Sequence, residues 1–100
     1  MTNLTNNQKK FLRSKGHSLK PVVMLGQHGL SEGVLAELES SLETHELLKI
    51  KVRGDDREDK QRVIEEIVKA THANLVQVIG NVMVIYRAFE KDPQLILPRK

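Results

Sequence analysis

The chain contains no cysteine, which excludes disulfides, thiolate metal centres and cysteine nucleophiles. No apolar run approaches the roughly 20 residues needed to span a bilayer. The opening segment MTNLTNNQKK lacks the apolar stretch of a secretory leader. A soluble protein is therefore expected, with a cytoplasmic location that fits the missing thiols. Aromatic residues are scarce at 3%, and tryptophan is absent. Proline occurs three times, too few for a proline-rich linker. What remains is ordinary globular material, 39% hydrophobic and 29% charged over 100 residues, enough for one domain with a modest core.

The net charge is only +3, but it is unevenly spread. Residues 1–30 carry Lys9, Lys10, Arg13, Lys15 and Lys20 and no carboxylate. Residues 31–46 carry Glu32, Glu37, Glu39, Glu43 and Glu46 and no Lys or Arg. Lys49, Lys51 and Arg53 then restore positive charge. Charge segregated by element makes one face positive and another negative, the footprint of a polyanion binder. Solvated helices also carry like-charged blocks by chance, but here two basic segments flank the acidic one.

Periodicity gives the elements. Thr5 and Gln8 form a capping box that predicts a helix from about Thr5 to Lys15, with Gly16 at the left-handed position that ends it. Its apolar residues are few, chiefly Phe11 and Leu12, so it should lie on the surface and expose its lysines. Pro21–Leu25 reads as a short apolar strand. Ser31 caps a second helix reaching about His45, with Val34, Leu35, Leu38 and Leu42 on one face. From Leu48 to Arg53, apolar residues alternate with Lys49, Lys51 and Arg53, the pattern of a half-buried strand. A third helix begins at Asp55 or Asp56, with a stripe of Val63, Ile64, Ile67 and Val68. Glu58/Arg62 and Glu65/Lys69 are spaced as i,i+4 pairs on its outer face. NLVQVIGNVMVIYR is a hairpin around Gly80-Asn81. Its strands are apolar on both sides, so both sheet faces should be covered there. The fold class is thus α/β, a single domain in the order α-β-α-β-α-β-β with a mixed four-stranded sheet. Helices two and three are expected on one face and helix one partly over the other, with an irregular tail over 88–100.

Gly26-Gln27-His28-Gly29 stands between the first strand and the second helix. Paired glycines let a backbone approach a ligand closely, and the following helix N-terminus suits a phosphate. A GXXG loop holds the nucleic-acid backbone in KH domains, where it joins two helices. Many such tetrapeptides are merely turns, but the polar centre and the basic flank favour the binding role here. Lys49, Lys51 and Arg53 share one strand face, which suits phosphates and equally suits solubility. Arg87 can join that surface or pair with a carboxylate. Tyr86 could stack on a base, although a lone aromatic in a strand is more often core. So few aromatics cannot build the stacking sheet of a recognition motif or an OB-fold, leaving backbone and shape recognition.

Enzyme readings find little support. GDDREDK lacks the calcium-loop spacing and suits a helix start. His45-Glu46 is followed at position 49 by Lys, so no second zinc histidine exists. No nucleophile has a matching base, and no catalytic residue, metal or cofactor is expected.

Taken together, LTNNQKKFLRSKGHSLKPVVMLGQHGLSEGVLAELESSLETHELLKIKV and the later QVIGNVMVIYR resemble the CRM domain, named for chloroplast RNA splicing and ribosome maturation. The telling pieces are L-K-P before the first strand, G-x-x-G-L, H-E-L-L-K and the closing Y-R. The likeness covers about Leu4 to Arg87, and a chain of this length is similar to the bacterial YhbY-type members. It implies a fold like the C-terminal domain of bacterial translation initiation factor three. It also implies non-catalytic RNA binding during assembly of the large ribosomal subunit. The family's glycine loop falls on Gly26, Gln27, His28 and Gly29; its centre often bears lysine in relatives, and Gln27 and His28 carry no fixed charge. The expected RNA contacts are Lys9, Lys10, Arg13, Lys20, the four loop residues, Lys49, Lys51, Arg53 and Arg87. The expected partners are ribosomal RNA of large-subunit precursors and ribosomal proteins, with no membrane and no small-molecule substrate. The alternative is a protein-interaction module that docks a basic ribosomal protein on the acidic second helix.

Overall fold

In the computed structural model, which describes residues 4–25, 30–53 and 57–89, helix α1 (Asn6–Gly16) starts at the expected capping box. The Thr5 hydroxyl accepts from the Gln8 N–H while the Gln8 side chain accepts from the Thr5 N–H. After β1 (Val23–Leu25), Ser31 caps α2 (Glu32–Thr44) by accepting from the Val34 N–H. Next come β2 (Leu47–Val52), α3 (Arg57–Thr71), β3 (Asn74–Ile79) and β4 (Val82–Tyr86). The two acidic residues expected to open α3, Asp55 and Asp56, lie outside the described residues, as do residues 90–100 of the expected irregular tail.

The four strands form one sheet in the order β1-β2-β4-β3. β1 pairs parallel with β2, and β4 pairs antiparallel with both β2 and β3. β3 therefore runs parallel to β2 with β4 inserted between them. Gly80 at φ 57° turns the hairpin. Ile79 pairs with Val82 across a two-residue loop in which only the first position needs positive φ, as in a type II′ turn. His72, also at φ 57°, ends α3 in the left-handed conformation common just beyond a helix.

Strand alternation divides the core. Leu48, Ile50, Val52, Met83 and Ile85 face α2 and α3, where Leu38, Leu42, Val63, Ile64 and Ile67 are buried. On the other face Leu47, Val76, Val84 and Tyr86 enclose Leu12 of α1, with Leu4, Phe11 and Leu19 around them. The second and third helices thus share one face and the first covers part of the other, as the doubly apolar hairpin requires.

Three local expectations change. Gly16 is still helical and α1 ends on His17 in the right-handed region. Its value is steric: a Cβ at Gly16 would stand 3.3 Å from a Val84 methyl, so the bare backbone lets α1 lie flat on β4. On α3, Arg62 pairs with Asp59 at 3.4 Å, one residue nearer than Glu58. Glu65 accepts from the Gln61 amide at 3.2 Å. β1 is shorter than expected because Pro21 has no N–H to donate; Val22 still donates to the Lys49 carbonyl.

Gly16→Leu should overpack the α1–β4 contact and lower stability by about 1–3 kcal/mol, measured as a reduced urea midpoint with unchanged slope.

Candidate nucleic-acid interface

Because Leu12 and Gly16 are the buried positions of α1, the helix turns Lys10, Arg13 and Lys15 away from the core, while Lys9, one turn before Leu12, lies over the sheet edge; all four are exposed. No carboxylate lies on this helix. Lys15 rests its ammonium 5.5 Å from the centre of the Phe11 ring. The helix is about 16 Å long at 1.5 Å per residue, so its cations form a band. Lys9 lies toward the Asn74 end, where a small groove includes both, while Gly16 and His17 reach the opposite end over Lys49 and Val84.

Beyond His17 the sheet face is open. Lys49, Lys51 and Arg53 continue the alternation onto this side. Lys49 is half-buried and its ammonium donates to the Leu19 carbonyl at 3.2 Å, fastening the segment that carries Lys20. Lys51 is exposed and pairs across the sheet with Met24 on one side and Val82 on the other. The Arg53 N–H donates to the Leu25 carbonyl at 3.2 Å, placing Arg53 where the chain leaves β1. The hairpin turn closes the same end: the Val52 N–H donates to the Asn81 carbonyl at 2.7 Å, and Lys60 Nζ donates to the Gly80 carbonyl at 2.7 Å. The glycine loop itself, Gly26, Gln27, His28 and Gly29, lies outside the described residues.

Six of the expected cations thus stand on one side of the sheet, Lys9, Lys10, Arg13, Lys49, Lys51 and Arg53, and Lys20 is exposed on the segment that Lys49 fastens. Arg87 does not join them. Its guanidinium donates to Glu39 and to the Thr71 carbonyl, each at 2.9 Å, clasping α2 and the end of α3 on the opposite face. Glu46 is buried and its carboxylate accepts from the Phe89 N–H. The acidic surface of α2 is thereby reduced to Glu32, Glu37 and Glu43, which remain exposed. Tyr86 is only 5% exposed and belongs to the α1-side core, where it cannot stack on a base. Burial, helped by the nearby Glu46 carboxylate, raises its phenol above the ordinary value of 10.0.

Residue reasoning missed the apolar part of this face. Met24 is 70% exposed and Ile79 57% exposed, in one row with Lys51 and Val82. An all-apolar β1 reads as buried on both sides. Only the pairing register reveals that one of its sides projects past the end of α1. Between Gly16 and His17 on the helix and Lys49, Gln77, Ile79 and Val82 on the sheet lies a groove of about 170 Å³. Among the described residues, no three His, Asp or Glu side chains gather as a metal would require, and no helix is long and apolar enough to cross a membrane.

The family model for the CRS1/YhbY (CRM) domain matches residues 4–87. An RNA-binding protein of Haemophilus influenzae is 54% identical over 100 residues, all of both chains. The probable RNA-binding protein YqeI of Bacillus subtilis is 40% identical over 95 residues, covering 95% of this chain and 99% of the relative. The solution structure of a hypothetical protein from Staphylococcus aureus superposes with a TM-score of 0.83 at 36% identity, covering 96% of this chain and all of the other.

The Arg87–Glu39 contact generates a stability prediction. Arg87→Ala should cost about 1–2 kcal/mol, since a charge-assisted bond to a half-buried carbonyl is lost with the ion pair. A double-mutant cycle with Glu39→Ala, followed by urea unfolding, should show coupling of about 0.5–1 kcal/mol.

Proposed function

Since the chain belongs to the CRS1/YhbY (CRM) domain family, we propose that it is a non-catalytic RNA-binding protein that holds RNA phosphates on the α1 side of its sheet. The observation that carries this reading is the separation of charge across the sheet. α1 bears four cations and no carboxylate, whereas α2 on the other face bears four carboxylates and no Lys or Arg. A polyanion is attracted to the first face and repelled by the second, so the field orients the encounter before any contact forms.

Lys9, Lys10 and Arg13 supply mobile cations along α1. Lys20, Lys51 and Arg53 continue the band toward the root of the glycine loop. Lys49 contributes its remaining donors while fastening the Leu19 carbonyl. At Gly26–Gly29 the bare backbone is assigned to close approach of a phosphate, supported by the position of Arg53 beside Leu25. Arg87 is assigned to the fold. With Tyr86 buried and Phe11 half-buried against the same cluster beside the Lys15 ammonium, this face has no stacking platform, and binding depends on phosphate spacing and RNA shape more than on base stacking. The RNA in this proposal is structured ribosomal RNA of large-subunit precursors, bound in the cytoplasm during assembly. That target rests on the family resemblance, and the named relatives support RNA as the ligand class.

About five phosphate contacts give a slope of log affinity against log salt of roughly −3.5 to −4.5, according to strandedness. Reversing Lys9, Lys10 and Arg13 to Glu should sharply weaken binding to precursor ribosomal RNA and flatten that slope by about 2 to 3. Fluorescence anisotropy across a salt series checks this. Unchanged affinity and slope in the folded triple variant would remove α1 from the interface.

A further inference from the structure

The groove beside the end of α1 has a composition that phosphate binding does not use. Its floor is aliphatic, from Ile79, Val82 and the Val84 methyls beneath Gly16. Two polar side chains, His17 and Gln77, line it, and among the described residues neither side chain makes a hydrogen bond. No carboxylate lines it, and Lys49 stands at its edge. Ile79 and Met24 remain exposed in the adjoining row, although exposed apolar clusters on a small protein usually mark a contact surface.

We infer that this groove receives a single unstacked nucleobase of the bound RNA, packed on Ile79 and Val82 with its edge read by Gln77 and His17. The inference rests on the RNA-binding reading and adds what that reading lacks, a preference for an unpaired nucleotide over a continuous duplex.

Three observations favour a base over a protein segment. First, at about 170 Å³ the groove is near half the lower bound of drug-sized sites, which span about 300–1,000 Å³. It suits one flat ring and is too small for the face of a helix. Second, the surrounding charge is uniformly positive: Lys49 lines the groove, Lys51 pairs with Val82 on its floor, and α1 ends above it without an acid. A basic ribosomal protein would be repelled. Third, Gln77 offers both a donor and an acceptor and His17 can supply either, which matches the mixed edge of a base. Extracting a base from a duplex costs a few kcal/mol, and least for one that is already unpaired. The groove therefore selects bulges, loops and single strands.

The test uses the full chain, a labelled RNA hairpin with one bulged adenosine, and the same hairpin fully paired. The wild type should prefer the bulged hairpin by about tenfold, or ~1.4 kcal/mol. Gln77→Ala combined with Ile79→Ser should abolish that preference and leave affinity for the paired hairpin within about twofold. On the unaltered protein, the methyl signals of Ile79 and Val82 should shift with the bulged RNA and stay still with the paired one, a readout independent of how the variant folds. Equal affinity for both hairpins, with still methyl signals, would overturn the inference and leave salt-dependent RNA binding standing. Failure to bind either hairpin at any salt would overturn the RNA-binding reading and this inference together. Loss of a ribosomal protein partner in the double variant, with both hairpins bound equally throughout, would assign the face to a protein and overturn the inference as well.

Discussion

The contact between Gly16 and Val84 sets the distance at which α1 lies on the sheet. With no side chain at position 16, the last turn of the helix rests against β4, a Cβ there being only 3.3 Å from a Val84 methyl. Leu12, one turn earlier, is then fully buried among Leu47, Val76, Val84 and Tyr86, a burial that contributes about 1.5–3 kcal/mol. α1 has few other apolar residues, so these two positions decide its orientation. Once Leu12 and Gly16 face inward, Lys10, Arg13 and Lys15 turn outward and Lys9 extends over the sheet edge beside Asn74. The basic surface follows from packing at two residues.

The remaining contacts keep that surface distinct from the rest of the molecule. Lys49 gives a donor to the Leu19 carbonyl and holds the return from α1 to β1 against the sheet. On the opposite face Arg87 ties Glu39 of α2 to the Thr71 carbonyl at the end of α3. A cation expected in the basic band instead joins two helices beneath the acidic surface. Positive and negative elements are thus separated by the thickness of the sheet, and the field of each is little cancelled by the other. α1 also stops short of the hairpin turn. Uncovered sheet remains beside the point where β1 ends, with Lys51 set among Met24, Val82 and Ile79. Basic and apolar surfaces therefore adjoin on one face.

Local features were legible in the sequence because their causes are local. The Thr5–Gln8 capping box, the Ser31 cap, the alternation of Lys49 and Lys51 with Ile50 and Val52, and the Gly80-Asn81 turn each depend on residues within a few positions. The doubly apolar hairpin even implied helices on both faces. What could not be read depends on which strands meet. Gly16 sits where a left-handed cap belongs, and only its approach to Val84, 68 residues on, explains why a glycine stands there. Arg87 had two plausible destinations, and the choice was made by Glu39 and Thr71 on helices brought beneath it. Met24 looked buried because β1 is apolar throughout, whereas an edge strand beyond the end of a short helix leaves one side uncovered. Gln77 and His17 carry no signal of their own until β3 and the end of α1 are brought to the same groove.

The central claim is that RNA lies across α1 and the adjoining strand face. It is tested most directly by ultraviolet crosslinking of the full chain to RNA in growing cells, with the attached peptides and the attached RNA both identified. The account predicts ribosomal RNA of large-subunit precursors joined to peptides from residues 9–20 and 49–53. Crosslinks gathered on α2 or the outer face of α3, with the α1 side left unmodified, would contradict it.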